Sequence, residues 1–439
     1  MSISLITQSA VPIISAGNDN YSTVSGSTAI GVLGYKFIAD IYINGILQIT
    51  LKSFPDPKFG VGVFNTKNLI SSFISFDFFP NVNSPSSSAY PAPNSSARVF
   101  MTYGEEYTSG STLVQRRNLV SGNTYVFINA SLPYADPMAS NLSTLDITVT
   151  AAWFTKLKPT AAFVTTGPLS PLANMNPLYV GQRQLLYFNS NGSTPLFGSN
   201  AYALGYAVST YNASRGFINS FFVRNNLSGS TDVQAIDVSY NTLAGLTAGP
   251  NVTVIAGAFP VISANTAYIK INQENQISGT SAVNSTAMVF KIVTDCGRWA
   301  PYAYTVSWLN EFGGFDSWYF NGKNLTTQGK EVQRYKKTKG APNAQGGYTE
   351  TTQSRAVVIG TTVLQDTIQL SSGFLTDAQV VFLKSLFTSP LIYLTDQNGM
   401  TVAVTIDENS YVLNKVLLTK IYSLVFNVKP AYNDYRQQF

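Results

Sequence analysis

Hydrophobic and polar residues alternate along most of this sequence, which is the pattern of β-strands with one buried face. Residues 35–51, YKFIADIYINGILQITL, give the clearest case, because the alternation runs through two segments separated by Asn44-Gly45. The residues that share the predicted face are Tyr35, Phe37, Ala39, Ile41 and Ile43, followed after the turn by Leu47, Ile49 and Leu51. Asn-Gly favours a type I′ β-hairpin because both central residues of that turn need a positive φ.

The Asn-Gly pair recurs at two other places and predicts the same kind of hairpin there. Asn321-Gly322 follows the segment FDSWYF, and Asn398-Gly399 lies between LIYLTD and MTVAVTI. Short alternating segments with turn residues at regular spacing also fill residues 182–295, and the last of them is MVFKIVTDC. This spacing is typical of β-sandwiches.

One segment has helical rather than strand periodicity. Thr376 is followed three residues later by Gln379, which forms the sequence signature of a capping box. The apolar residues that follow, Val380, Leu383, Leu386 and Phe387, fall on one stripe of a helix, and Pro390 ends it. We therefore predict an amphipathic helix over about 377–388.

Residues 305–320, TVSWLNEFGGFDSWYF, concentrate aromatic side chains around a Gly-Gly pair. Val306 and Trp308 alternate on one strand, NEFGG forms a turn, and Trp318 and Phe320 follow on the returning strand. Cross-strand aromatic pairs stabilise such hairpins, so we interpret the segment as a core or interface hairpin rather than a ligand platform.

Length and composition divide this mainly β chain into three domains. We predict an N-terminal β domain over 1–170 with a long Ser/Pro-rich loop at 79–97, and a middle β-sandwich over 171–295. A C-terminal domain over 296–439 combines strands with the single packed helix. The predicted fold is thus a set of antiparallel β-sandwiches with a C-terminal α+β domain.

Charged residues are scarce, and their scarcity bears on function. They make up 11% of the 439 residues, against about 25% in an average globular protein. A protein that exposes few charges either covers itself with hydroxyl and amide groups or buries much of its surface against other subunits. We interpret the composition as that of an assembly component. Cys296, the single cysteine, is expected to be a buried apolar thiol.

The sequence offers little for catalysis, so we expect no enzymatic activity, no metal site and no cofactor. The chain contains no histidine, which removes Ser-His-Asp and Cys-His machinery and histidine-containing zinc sites. The carboxylate pairs Glu105-Glu106 and Asp407-Glu408 are adjacent in sequence, so on a strand their side chains point to opposite faces. We interpret both pairs as solvated strand ends, not as the paired carboxylates of a glycosidase.

A basic segment, GKEVQRYKKTKG at 329–340, carries Lys330, Arg334, Lys336, Lys337 and Lys339. A solvated loop is the simplest interpretation of such a charge run. In a ring of identical subunits, the same loop could instead line a channel that carries a polyanion.

Three segments resemble a family of tail proteins from phages of Bacteroidetes hosts, which includes crAss-like phages. They are YKFIADIYINGILQITLKSFPDPKFGVGVF near the start, CGRWAPYAYTVSWLNEFGGFDSWYFNGK in the third quarter, and LTDAQVVFLKSLFTSPLIYLTDQNGMTVAVTIDENSY near the end. The resemblance implies a structural virion protein, a ring or hub subunit of a short tail below the portal, without enzymatic activity.

The resemblance also implies partners and a location. The chain would form a homo-oligomeric ring, twelvefold or sixfold, next to other tail or portal proteins, and would contact phage DNA in the lumen without sequence specificity. It would be assembled in the host bacterial cytoplasm and reside in the virion tail. No apolar segment reaches the roughly 18 residues of a membrane helix, so we expect no membrane span.

An alternative function stays open. A glycan-binding or receptor-binding β-sandwich would also be aromatic and low in charge, and it would present Trp or Tyr side chains to solvent.

Overall fold

The computed structural model describes most of the chain and divides it into two compact units. The described residues are 3–7, 13–26, 32–79, 90–132, 168–169, 175–189, 202–224, 233–246, 252–256, 262–277, 280–283, 287–294, 302–406, 412–416, 421–432 and 434–438. Unit 1 comprises Met1–Thr294 and Leu309–Ser317, and unit 2 comprises Asp295–Trp308 and Trp318–Phe439. The three predicted domains stay a prediction, because their boundaries at 170 and 295 lie outside the described residues.

The described residues of the N-terminal part of unit 1 form nine strands and one short helix. They are β1 Ile3–Thr7, β2 Ile13–Ser15, β3 Tyr21–Gly26, β4 Lys36–Ile43, β5 Ile46–Ser53, β6 Val61–Asn65, α1 Lys67–Ser71, β7 Tyr90–Pro91, β8 Ser96–Ser109 and β9 Thr112–Ile128. The strand order is β1-β3-β6 in one sheet and β2-β9-β8-β4-β5 in a second.

These two sheets enclose one hydrophobic core. Val24 and Phe64 of the three-stranded sheet belong to the same buried cluster as Phe37, Ile41 and Met101 of the five-stranded sheet. The sheets approach closely at Gly62, where a Cβ atom would lie 2.4 Å from the ring of Phe37. This packing of two sheets face to face is a β-sandwich, as predicted.

The hairpin predicted at Asn44-Gly45 is confirmed, but its second strand is not regular. Asn44 and Gly45 have φ values of 51° and 83°, as a type I′ turn requires. Leu47 pairs with Tyr42, whereas Ile49 pairs with Ile41, so Gln48 is an extra residue. The prediction that Leu47, Ile49 and Leu51 share one face is therefore wrong, because the β-bulge places Leu47 on the opposite face from Ile49 and Leu51.

The rest of unit 1 is also mainly β. Its elements are β10 Asn176–Tyr179, β11 Leu185–Asn189, β12 Tyr202–Tyr211, β13 Phe217–Arg224, β14 Val233–Asp237, α2 Tyr240–Ala244, β15 Val252–Ala256, β16 Tyr268–Ile277, β17 Thr280–Val283 and β18 Met288–Val293. One sheet has the order β10-β18-β16-β12-β13-β15, with β17 beside β16, and another has the order β11-β14-β7. Strand β18 corresponds to the predicted MVFKIVTDC strand.

Most described strand pairs are antiparallel, as expected. The exceptions among the described residues are two pairs in which one strand is very short. Strand β2 runs parallel to β9 through three residue pairs, and β10 runs parallel to β18 through four. Both short strands lie at the end of their sheet order, where a connection from a distant part of the chain can add a strand.

The described residues of unit 2 form a nine-stranded sheet, a small hairpin and one helix. Its elements are β19 Tyr304–Leu309, β20 Phe315–Phe320, β21 Leu325–Lys336, β22 Ala341–Pro342, β23 Tyr348–Thr349, β24 Val357–Leu375, α3 Asp377–Thr388, β25 Ile392–Thr395, β26 Thr401–Thr405, β27 Val412–Val416, β28 Ile421–Pro430 and β29 Asp434–Gln438. The strand order is β20-β19-β25-β26-β28-β24-β21, with β27 beside β28 and β29 beside β24.

Helix α3 confirms the predicted bounds and cap. The side chain of Thr376 accepts a hydrogen bond from the Gln379 backbone N–H, and the Gln379 side chain accepts one from the Thr376 N–H at 2.8 Å. Leu383 and Leu386 are fully buried on the predicted stripe. The helix ends at Thr388, two residues before Pro390.

The aromatic hairpin β19–β20 provides much of the core of unit 2, as predicted. Trp308 is completely buried, and its indole N–H donates a hydrogen bond to Ser385 Oγ of α3 at 3.1 Å. Phe382 of the same helix contacts the rings of both Trp308 and Trp318, at centroid distances of 5.4 and 6.1 Å. The tryptophans thus fix the helix on the sheet.

The turn of this hairpin belongs to unit 1. Phe315 is buried there against the rings of Phe76, Phe78 and Tyr187, at centroid distances of 6.0, 4.8 and 5.9 Å. Gly313 has a φ of 87°, and a Cβ at this position would lie 2.3 Å from the backbone oxygen of Asn129. The Gly-Gly pair of the sequence therefore allows a close backbone approach as well as a turn.

The other two Asn-Gly predictions have different outcomes. The hairpin at Asn398-Gly399 exists between β25 and β26, although only Gly399 has a positive φ there. The prediction of a hairpin at Asn321-Gly322 is wrong. Strands β20 and β21 lie at opposite ends of the sheet order, and neither Asn321 nor Gly322 has a positive φ. Gly322 instead allows close approach of β24, since its Cβ would lie 2.5 Å from Ser371 Oγ.

Replacing Trp308 should destabilise unit 2 strongly. Trp308→Ala removes a fully buried indole and leaves a cavity against α3, so we expect a loss of about 3 to 5 kcal/mol and little soluble protein. Ser385→Ala removes the partner of the indole N–H and the hydrogen bond that Ser385 Oγ donates to the Phe382 carbonyl, and it should cost about 1 kcal/mol. Both values are measured by denaturant unfolding. A Trp308→Ala variant with an unchanged unfolding midpoint would contradict the core assignment.

Candidate functional site

The described residues do not assemble a metal-binding centre. The chain has no histidine, and the part of it that the structure describes contains no group of three or more His, Cys, Asp or Glu side chains that could hold a metal ion. Cys296, Asp407 and Glu408 lie outside the described residues. The titratable groups that stand out are the carboxylates on β4 and β8.

Glu105 and Glu106 are buried within β8, so their interpretation as a solvated strand end is wrong. They are 1% and 3% exposed, because their side chains enter opposite faces of a fully paired sheet. Glu105 lies on the core face, where it accepts a hydrogen bond from Tyr35 Oη at 3.0 Å and faces Arg116 Nη1 at 3.6 Å. Burial and the adjacent Glu105 carboxylate raise the pKa of Tyr35.

Glu106 lies on the other face and is held by cations. Lys52 Nζ donates to its Oε2 at 2.6 Å, Lys36 Nζ lies 3.8 Å from Oε1, and the Gln115 amide also donates to it. The hydrogen bond from Lys52 is the main cause of a lowered Glu106 pKa. Asp40 on the same face is similarly paired, with Arg117 Nη1 at 3.3 Å.

This geometry holds the two adjacent glutamates apart. The two adjacent glutamates cannot flank one substrate, because the sheet separates them, as the alternation of strand side chains predicts. Asp40, Glu105 and Glu106 each have a cation as a partner, which offsets the cost of burying their charge.

Strand β5 leaves an apolar sheet edge open. It is the last strand in the order β2-β9-β8-β4-β5, and Ile46, Leu47 and Ile49 are 65%, 44% and 38% exposed. Near its end, Ser53 Oγ accepts a hydrogen bond from the Val63 N–H of β6. Over Ile46 to Leu51 the outer backbone groups have no strand partner among the described residues.

The basic segment 329–340 is mainly a strand, so its prediction as a loop is wrong, although its exposure is confirmed. Lys330, Arg334 and Lys336 lie on β21, which pairs with β24 in an antiparallel ladder from Leu325↔Gln369 to Lys336↔Val357. The sequence from 325 to 336 is polar on both faces, so the alternation that identifies other strands is hidden. We call this ladder, with the connecting residues 337–356, the basic arm.

The tip of the basic arm has a shallow depression. Its lining combines the cationic side chains of Lys337 and Arg355 with the hydroxyls of Thr349, Thr351 and Ser354. The small hairpin β22–β23 forms part of its wall through Ala341 and Thr349. Arg355 lies outside the basic segment 329–340, so sequence position alone does not group it with Lys337.

Comparison with known proteins assigns no family. No family model matches the chain, and no curated protein matches it. A crystal structure of an ICAM-5 D1–D4 ectodomain fragment aligns with 83% of this chain and 71% of its own, at 9% identity and a TM-score of 0.20. Extracellular domains 3–5 of Drosophila OTK align with 84% of this chain and 92% of their own, at 5% identity and a TM-score of 0.19.

The helices of the described residues are short. None of them is long and apolar enough to cross a membrane, in agreement with the absence of a long apolar segment in the sequence.

Glu106 should make stability depend on pH in a defined direction. Its pKa is lowered in the folded state, so its contribution is present above the unfolded pKa of about 4.3 and is lost as the pH falls through the folded value. Glu106→Gln should therefore lower the free energy of unfolding at pH 7, and the difference from wild type should shrink below about pH 4.3.

Urea unfolding at a series of pH values measures this difference. Glu331→Gln, which changes an exposed glutamate of β21, is the control and should leave stability unchanged at each pH. A Glu106→Gln difference that stays constant from neutral to acidic pH would show that the ion pair with Lys52 does not form in solution.

Proposed function

We propose that the chain is a non-enzymatic structural subunit of a symmetric ring or hub in a phage tail. The resemblance of three of its segments to tail proteins of Bacteroidetes phages suggests a collar below the portal that forms part of a DNA conduit. The partners would be further copies of the chain, in a twelvefold or sixfold ring, together with adjacent tail or portal proteins. Assembly would take place in the host bacterial cytoplasm.

The observation that carries the proposal is the open apolar edge of β5. An edge strand with exposed Ile46, Leu47 and Ile49 is a template for pairing with another chain, and monomeric proteins usually protect such edges with lysine, proline or a covering segment. The bulge at Gln48 and Lys52 near the strand end protect this edge in part. Over the first half of β5, a strand of a neighbouring subunit would pair with the open edge.

Composition supports the same proposal independently. A chain with 11% charged residues has too few charges to cover a free surface in the usual way. A ring subunit has two different interfaces with its neighbours and axial contacts above and below, so it needs a low-charge surface. Other apolar side chains of unit 1 are also exposed, including Leu33 and Leu113.

The lack of enzymatic activity is supported by the state of the acidic side chains. Asp40, Glu105 and Glu106 are each engaged with a basic residue, and they are distributed over two faces of one sheet. Such pairs contribute to a fixed strand register rather than to proton transfer.

The glycan-binding alternative receives less support from the described tryptophans. Trp308 and Trp318 are both in the core of unit 2, so neither can stack on a sugar ring. Exposed tyrosines exist, such as Tyr302 and Tyr348, but they belong to different segments of unit 2. Binding of the isolated protein to cell-surface glycans would favour this alternative.

Charges introduced at the β5 edge should prevent assembly without unfolding the protein. Ile46→Lys combined with Leu47→Lys places a cation on each face of an exposed edge, where lysine opposes strand addition. We expect the wild type to be multimeric by light scattering and native mass spectrometry, and the variant to be monomeric with an unchanged unfolding temperature.

Val381→Lys combined with Met400→Lys is the matched control, since both side chains are exposed elsewhere in unit 2. This control should assemble like the wild type. A wild-type chain that remains monomeric at all concentrations tested, or an edge variant that assembles normally, would reject the β5 interface.

The virion location has a direct test. Particles from the natural source are fractionated, and mass spectrometry and electron microscopy locate the 47.5 kDa chain. Recovery in a phage-sized particle with ring density at the tail is the expected result. Recovery as a free monomer would contradict the proposal.

A further inference from the structure

The net positive charge of the chain is concentrated on the basic arm. The arm, residues 325–369, contains six lysines and arginines but three acidic residues, which gives a net charge of +3 against +5 for the whole chain. The remainder of the sequence is therefore almost neutral. Such a segregated charge points to a partner for this segment alone.

The ladder register places the cations of β21 on one face. Lys330 pairs with Leu364, Arg334 with Ile359, and Lys336 with Val357. Gly360 is the extra residue of a bulge on β24, so the alternation along β21 is unbroken. Lys330, Arg334 and Lys336 thus share a face, with spacings of about 13 and about 7 Å along the strand.

Acidic side chains do not neutralise this face at its outer end. Glu331 points to the opposite face, because it is adjacent to Lys330 on the strand. Asp366 shares the basic face but lies nearer the base, where it accepts a hydrogen bond from the Gln328 amide at 3.1 Å. Asp434 of β29 pairs with Leu364, so its register position is on the same face, one strand further from Lys330. Among the described residues of the arm, Lys339 forms an ion pair with Glu350. This pair does not involve Lys330, Arg334 or Lys336.

We propose that the basic arm binds double-stranded DNA through its phosphates, without sequence specificity. The ladder has 12 residue pairs and extends over roughly 40 Å, so it can follow several phosphates. At its tip, Lys337 and Arg355 add cations beside the hydroxyls of Thr351 and Ser354. These hydroxyls are hydrogen-bonded to each other, which leaves one of their protons to donate to a phosphate oxygen.

The chemistry of the basic face favours a duplex over a single strand. The cross-strand neighbours of its cations are Leu364, Ile359 and Val357, which are aliphatic. Single-stranded nucleic acid is usually held by aromatic side chains on which bases stack. Tyr335, the aromatic residue of β21, points to the opposite face with Glu331.

This inference rests on the proposed function for its biological setting, a DNA conduit, but the binding itself can be measured on the full-length chain in any oligomeric state. The probe is a fluorescent DNA duplex of arbitrary sequence, titrated at several salt concentrations. The arm variant combines Lys330→Gln, Arg334→Gln and Lys336→Gln. Its matched control, Lys58→Gln with Lys291→Gln and Lys384→Gln, removes the same charge from exposed lysines elsewhere.

We expect the arm variant to bind the duplex at least about tenfold more weakly than the wild type at low salt, and the control variant to bind like the wild type. The slope of log affinity against log salt should become shallower by about three, one for each phosphate contact removed. Circular dichroism and thermal unfolding check that the arm variant is folded.

Several results would overturn the inference. One is equal binding by the wild type and a folded arm variant, and another is an equal loss in the control. Tighter binding to single-stranded DNA, to polyglutamate or to anionic lipid vesicles than to the duplex would identify a different partner. Light scattering on the same samples separates the two proposals. Absence of duplex binding in a wild type that assembles would reject only the DNA-binding arm. Failure of the wild type to assemble would reject only the ring.

Discussion

The need to pair backbone N–H and C=O groups is the constraint on which this structure depends. A mainly β chain creates a new row of such groups at every sheet edge, and each row must meet another strand, a side chain or solvent. The long strands β8 and β24 meet this need inside the molecule, because each has partners on both sides. The outer edges of β5 and β21, each the last strand in its sheet order, leave it to solvent or to another molecule. These two strands belong to the two places where function is proposed.

Local signals in the sequence predict local structure well here. The capping box at Thr376, the apolar stripe of α3 and the Asn44-Gly45 turn all depend on neighbours within a few residues, and the structure confirms them. The dipeptide Asn321-Gly322 shows the limit of this reasoning. Gly322 is needed because Ser371, about 50 residues later in the chain, packs against its backbone and leaves no room for a side chain. No local pattern in the sequence carries that information.

The features of the candidate surfaces were harder to predict for the same physical reason. Burial of Glu105 and Glu106 depends on cations from other strands of the sheet. Arg116 comes from β9, which pairs with β8, and Lys52 comes from β5, which pairs with β4. The basic segment looked like a loop because both of its faces are polar, which is what a ribbon exposed on both sides requires. Its charges were evident from the sequence, but their presence on one face follows only from the register with β24.

The division of the β19–β20 hairpin between the two units has a consequence for how this gene could be cut or recombined. A fragment that ends at residue 294 would lack Phe315 and leave Phe76, Phe78 and Tyr187 exposed to water. A fragment that begins at residue 295 would carry that phenylalanine without its pocket. Exchange of either half between related genomes would therefore succeed only when residues 309–317 and their aromatic pocket are inherited together.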